Sequence, residues 1–364
     1  MELFSQGQYF PPEGCTVFSE NNSSTLYIYG GARAAKPGHW ALSNYLFQIQ
    51  TEKFDKTESS ASFHQVLSFK MFNHTTSKTS QFTKLFGANG LTEHSSSDYF
   101  EGFTVNGKDL DCPNEKQFLS NEIRILETAS EMTFRTVIVR TGEGGNIQLT
   151  NIKKAETVQM GDFPEPSYGS SLVRIPEMDG SGLKAAVKIG GSVLKNRTLL
   201  YLEFLFSGVK MWEEESSSEV HILEYNVKDR VFKWKLVNVH GLEPRALHSA
   251  VKIERFIYIF GGLDLKNGRR YPFLPVRINI YDWNVSTIES TGFGGFLSGA
   301  ASLPCAEKVY FVGGYMEEKV GDGDKPCDTI SEVTFSSQGK VWSHLIETIF
   351  WIQSILSQID SYIL

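Results

Sequence analysis

An all-β fold of the propeller type is predicted by three observations. Apolar runs close on a glycine pair four times, at LYIYGG ending at Gly31, AVKIGG at Gly191, IYIFGG at Gly262 and VYFVGG at Gly314. Two polar lead-ins, PSYGSSL from Pro166 and PRALHSA from Pro244, stand just upstream of two of those runs. Strand-like segments ending in Tyr and Trp follow, HILEYNVKDRVFKW at 221–234 and VRINIYDW at 276–283. Recurrence at intervals of tens of residues is the signature of a repeat architecture, and each repeat here reads as one small antiparallel sheet.

The stretch 243–262 carries the clearest copy. Residues 248–253 and 256–260 are apolar, β-branched or aromatic, and the polar Glu254 and Arg255 between them read as a hairpin corner. Gly261 and Gly262 then stop the second strand, because a residue without a Cβ can take backbone angles closed to others. The same reading makes Gly30, Gly31, Gly190, Gly191, Gly313 and Gly314 structural, with FTVNG ending at Gly107 as a degraded fifth copy. This is the Kelch pattern, and it predicts a Kelch-type β-propeller over 1–340.

In order along the chain, the first blade opens near Cys15, reaches Gly30 and Gly31, passes a loop with Arg33 and Lys36, and takes 44–49 as its third strand. Residues 51–98 are rich in Ser, Thr and Lys and read as a polar insertion after a fourth strand at 64–69. The second blade contains 101–107 and the strand 134–141. The third begins at Pro166 and carries an unusual stretch, 196–218, read as an extra or extended strand capped by an acidic Ser-rich loop, or as a partner-docking protrusion. The fourth is the stretch already described, and the fifth runs from Gly299 to Trp342. In 341–364, Leu345, Ile349, Ile352, Leu356 and Ile359 fall on one helical face, so this segment is expected to be an amphipathic tail or a ring-closing piece. Six blades are expected, the last irregular and assembled from the tail and the N-terminus.

Composition narrows the function. With a net charge of -7 the chain as a whole is a poor free-standing nucleic-acid binder, so any DNA contact must be local. Cys15, Cys112, Cys305 and Cys327 are scattered without a CxxC or histidine pairs, which argues against a zinc module. No apolar run approaches the roughly 18 residues of a membrane span, so no membrane partner is expected. The N-terminus lacks the basic and apolar regions of a secretion signal, and an intracellular protein is expected. No cofactor or metal is expected in this chain, and catalytic residues are not identified.

Over about 15–335 the chain resembles the family of the second recombination-activating protein, the Kelch-propeller accessory subunit of the V(D)J recombinase. The residues that carry the resemblance are GDFPEPSYGSS at 161–171, the glycine-stopped strand after it, the insertion containing Trp212, IYIFGG, and VYFVGGY at 309–315. The resemblance implies a nuclear, non-catalytic subunit that binds a DDE-type transposase or recombinase as a heterotetramer, two copies of each. It would support cleavage of terminal inverted repeats and touch flanking DNA through the complex, with divalent metal in the partner's active site. Basic residues in two loops of the family are matched here by Arg33 and Lys36, and by Lys266, Arg269 and Arg270, which become the candidate DNA contacts. The vertebrate members continue into a zinc-bound plant homeodomain finger. With only His344 as a possible ligand after Cys327 that finger is not expected, which fits a transposon-type relative.

Two other classes stay open. An ordinary Kelch adaptor of the ubiquitin-ligase or cytoskeletal type would usually carry a BTB or F-box region, and there is no room for one before Cys15. A propeller oxidase would need Tyr, His and Cys clustered on one channel, and the histidines have no such spacing.

Overall fold

The computed structural model describes residues 14–19, 25–36, 39–42, 46–51, 66–74, 87–95, 99–107, 123–130, 133–139, 158–198, 210–273, 275–288, 290–291, 295–305, 308–312, 314–317, 325–326, 330–335 and 341–346. The architecture is all-β. A single 3₁₀ turn, Pro176–Met178, is the one helical element among these residues.

Five antiparallel units of four main strands account for most of the strand residues described. Sheet one is Thr16–Ser19, Thr25–Tyr29, Leu46–Thr51 and Val66–His74. Sheet two is Asn89–Ser95, Phe100–Val105, Ile123–Ser130 and Thr133–Val139. Sheet three is Ser171–Arg174, Lys184–Ile189, Val220–Asn226 and Val231–Val237. Sheet four is Ser249–Ile253, Phe256–Phe260, Val276–Asn279 and Val285–Thr287. Sheet five is Ala301–Cys305, Lys308–Val312, Ile330–Phe335 and Val341–Ile346.

Sheets one and two share a short parallel pairing of their fourth strands at Asn73, His74, Thr133 and Phe134. Sheet three gains a parallel outer strand, Val158–Gly161, and sheet five gains Ser290–Thr291 in the same way.

Apolar side chains between neighbouring sheets give a core that is a series of interfaces. Phe18, Tyr27, Phe100 and Leu126 fill the space between sheets one and two. Phe103, Ile125, Leu223 and Phe232 fill that between two and three, and Val187, Ile189, Ile257 and Ile278 that between three and four. Phe260, Phe273, Phe311 and Val333 join four to five. The first strands of successive sheets touch, and that of sheet five also touches that of sheet one. Such an arrangement is consistent with a propeller-like fold.

A chain of backbone hydrogen bonds ties the first strands at one end. Gly87 N–H donates to the Gly14 carbonyl, Gly169 to Gly87, Leu247 to Gly169 and Gly299 to Leu247, all at 2.7–2.8 Å. All five residues have positive φ, between 55° and 70°, and four of them are glycine. Leu247 holds the same place with a Cβ, at a cost of about 1 kcal/mol.

Two expectations are corrected. Within the polar region 51–98, Val66–His74 closes sheet one as the expected fourth strand, but the stretch read as insertion after it holds a second strand, Asn89–Ser95, which opens sheet two. Its second strand is hard to see in the sequence because Asn89, Gly90, Thr92 and Glu93 are polar or small; Gly90 lies where a Cβ would stand 2.3 Å from the Phe18 ring. The expected helical face beginning at 341 instead opens with the fourth strand of sheet five, and Leu345 pairs there with Ser331. Five four-stranded units are present among the described residues; 1–13 and 347–364, from which a sixth was expected, lie outside them.

Candidate functional site

The glycine stops do more than end strands. Gly30, Gly31, Gly190, Gly191, Gly261 and Gly262 all have positive φ, as does Gly314, while Gly313 lies outside the described residues. The degraded copy keeps the geometry with a different residue, Asn106 at φ 60° followed by Gly107 at 116°. Asparagine tolerates the left-handed region better than most side chains, which explains the substitution. In three copies the second residue's N–H reaches the next sheet's lead-in, Gly107 to the Ser167 carbonyl, Gly191 to Arg245 and Gly262 to Leu297.

At four of these stops the chain leaves the sheet as a small β-ribbon. After Gly31 it is Ala32–Lys36 with His39–Leu42, and after Gly191 Ser192–Thr198 with Lys210–Ser216. After Gly262 it is Leu263–Asp264 with Arg269–Arg270, and after Gly314 Tyr315–Glu317 with Lys325–Pro326. Because each leaves from the same end of a second strand, the ribbons share one end of the molecule. Lead-ins brace them: Ser167–Tyr168 pairs with Ser192 and Val193, Ala246 with Leu263, and Phe296–Ser298 with Tyr315–Glu317.

This ribbon end is the candidate site, and all five candidate DNA contacts lie on it. Arg33 and Lys36 are on the ribbon of sheet one, opposite Ala41 and His39. Lys266, Arg269 and Arg270 share the ribbon of sheet four. The two groups are not brought together, since sheet five stands between their sheets. Lys266 Nζ lies 3.3 Å from the Glu215 carboxylate on the neighbouring ribbon, and Arg269 Nη1 is 2.6 Å from Glu243. Both pairs are exposed enough to contribute little stability and to exchange for another anion.

Sequence reasoning missed the base of this ribbon. The Arg245 guanidinium is buried 4.1 Å from the Tyr271 ring centre, and that of Arg269 is 5.0 Å from the same ring. Tyr271 donates its hydroxyl proton to the Pro244 carbonyl at 2.9 Å. Cations against an aromatic ring are attracted by its quadrupole, so Tyr271 orders the ribbon between two guanidiniums. The carboxylate partners lie 51 and 26 residues from Lys266 and Arg269, and Arg245 lies 26 from the ring, beyond the reach of a local motif.

Beneath the ring of first strands, all five sheets line a central cavity of about 270 Å³. Several of its polar side chains are spent on neighbours. Thr16 Oγ1 donates to the Ala88 carbonyl at 2.7 Å, Asn89 Nδ2 donates to Ser170, Ser171 Oγ is 2.9 Å from His248 Nε2, and Ser249 Oγ donates to Ala300 at 2.6 Å. Burial and the cations Arg245 and Lys188 hold His248 far below an ordinary histidine, at about 3. Burial and Lys188 hold His221 at about 4, and burial lowers Lys188 to about 8. His248 joins sheet four to sheet three through Ser171, and a neutral imidazole suits that role. Among the described residues no group of three His, Cys, Asp or Glu side chains could hold a metal ion.

No family model matches the chain, and no curated protein does. Among solved structures the chain is similar to YjhT, with a TM-score of 0.50 at 11% sequence identity, over 92% of this chain and 84% of that one. At that identity the likeness concerns the fold alone.

Proposed function

We propose that the chain is a Kelch-type β-propeller of five blades that serves as a non-catalytic accessory subunit of a DDE-type transposase or recombinase. The five-blade reading rests on the contact between the first strands of sheets five and one, and replaces the expected six. The ribbon end docks the catalytic subunit, two copies of each chain assembling in the nucleus. The ribbons of sheets one and four then lie near terminal inverted repeats and their flanks. Two-metal chemistry belongs to the partner.

The observation that carries this reading is the order of motifs from Pro166 to Tyr315, with a long insertion between the second and third strands of sheet three. That insertion is the longest of the ribbons, seven residues paired with seven from Ser192↔Ser216 to Thr198↔Lys210. Loops on a rigid β-scaffold make broad docking surfaces, which agrees with an accessory role.

The test is co-purification with a DDE transposase from the same genome, followed by cleavage of its terminal repeats with and without this chain. A stoichiometric complex whose cutting depends on the chain is the expected result. No complex and no effect on cutting would overturn the reading and leave the Kelch adaptor in its place.

A further inference from the structure

The outer edges of the sheets differ. The fourth strands of sheets one and two pair with each other at their ends, and those of sheets three and five are each flanked by a parallel strand. In sheet four the fourth strand, Val285–Thr287, pairs only with Val276–Asn279 among the described residues. Ser286 and Thr287 are exposed.

Sheets three and four align closely at this place. Four-residue turns join their third and fourth strands, between the pairs Asn226↔Val231 and Asn279 with Asn284, and the last turn residue has positive φ in both, Arg230 at 55° and Trp283 at 57°. In sheet three the added strand Val158–Gly161 lies alongside 231–234. The equivalent backbone in sheet four is 284–287, where nothing described lies alongside. The second turn residue is Lys228 in sheet three and Tyr281 in sheet four. Tyr281 is 70% exposed, more than any other large hydrophobic side chain among the described residues.

Backbone polarity gives this edge a direction. Asn279 N–H donates to the Asn284 carbonyl, so in the alternation of an antiparallel pair Val285 and Thr287 turn their N–H and C=O away from the sheet. A row of outward donors and acceptors is a template for another strand. Beside it, Arg277 lies 4.1 Å and Arg255 5.0 Å from the Phe256 ring centre, and Arg277 Nε donates to Ser286 Oγ at 3.0 Å. Among the described residues no carboxylate lies within ion-pair distance of either guanidinium, although the chain is acidic overall.

We propose that the outer edge of sheet four is a docking site for an extended, acidic segment of a partner protein. The segment adds a strand parallel to Val285–Thr287, as Val158–Gly161 does on sheet three. It places an Asp or Glu on the side of Arg277 and an apolar residue against Tyr281. The site is at the rim and does not depend on the transposase reading.

The test selects binders from a displayed library of ten-residue peptides containing Asp or Glu, against the full chain. The expected result is peptides whose binding protects the Val285 and Thr287 amides from hydrogen exchange. Thr287→Pro removes one outward N–H without touching the bonds to Val276–Asn279, and weakens binding at least tenfold. Tyr281→Lys and Arg277→Gln, which need no backbone change, each weaken it several-fold, and methylating alternate peptide nitrogens abolishes it. An unchanged melting temperature in the two side-chain variants separates loss of binding from loss of fold. Failure to select any peptide, or binders indifferent to Thr287→Pro and to N-methylation, would overturn the proposal. So would a homodimer that Thr287→Pro dissociates, since a second copy would then own the edge.

Discussion

The junction between sheets two and three and that between sheets three and four make equivalent backbone bonds with different residues. At the first, Asn106 and Gly107 make the turn, Gly107 N–H reaches Ser167, and the Asn106 side chain donates to Ser167 Oγ at 2.7 Å. At the second, Gly190 and Gly191 make it, and Gly191 reaches Arg245. A Cβ at Gly190 would stand 2.5 Å from the Arg245 carbonyl oxygen and 3.0 Å from that of Ser217. The long ribbon of sheet three returns at this point, with Ser217 N–H on the Gly191 carbonyl and Arg245 N–H on that of Ser217. Positive φ is therefore a demand of the turn, which Asn can meet. The absence of a side chain is a demand of what packs on it.

Exchanging the residues breaks the comparison most strongly. Gly190→Asn is expected to destabilise by about 3 kcal/mol or more, as an overpacked site with backbone on two sides. Asn106→Gly keeps the turn and loses the side-chain hydrogen bonds to Glu165 and Ser167, costing about 1 to 2 kcal/mol. Thermal melts of the two variants check both. Equal losses would remove the distinction drawn here.

Acid separates the junctions next. The one between sheets three and four holds His248, and His221 lies in sheet three itself, both with depressed protonation. In the unfolded chain each binds a proton below about pH 6.5, and in the folded chain His221 does so only below about 4 and His248 only below about 3. Their contribution to stability is thus complete above about 6.5 and is lost as pH falls towards 4. A fall in Tm of about 5 °C between pH 7 and pH 5 is expected, with exchange at Leu247 and Gly191 accelerating before that at Gly169 and Gly107. His248→Ala, itself less stable at neutral pH for its lost packing and bond to Ser171, should show a flatter decline.

A subtler contrast lies in the ring of first strands. Gly169→Ala puts a Cβ 2.9 Å from the Leu247 nitrogen at φ 62° and should cost about 2 kcal/mol. Leu247→Gly relieves a left-handed leucine while giving up a half-buried side chain, so its net effect is within about 1 kcal/mol. Smallest of all, Lys252→Ala removes the pair with Glu177, 2.6 Å apart between sheets four and three, and costs under about 1 kcal/mol because Glu177 is partly exposed. Urea melts resolve this series.

Much of the scaffold was legible because repetition marks it. IYIFGG and AVKIGG foretell strand, stop and positive φ together, and the PSYGSS and PRALHSA lead-ins align Gly169 with Leu247 in space as in sequence. What the sequence hid was the partners. Nothing near Arg269 announces Glu243, 26 residues away, or marks Tyr271 as the ring between Arg269 and Arg245. The strand Asn89–Ser95 was hidden for a different reason. It lines the polar central cavity, so it lacks the apolar alternation by which strands are recognised.

The most direct test of the account is hydrogen exchange on the chain alone and in complex with a DDE catalytic subunit. A rigid ring that docks by its ribbon end predicts slow exchange at Gly87, Gly169, Leu247 and Gly299 in both states. It also predicts new protection on binding at Ala32–Lys36, Ser192–Thr198 and Leu263–Arg270. Fast exchange at the ring amides in the free chain, or protection that leaves the ribbons untouched, would contradict it.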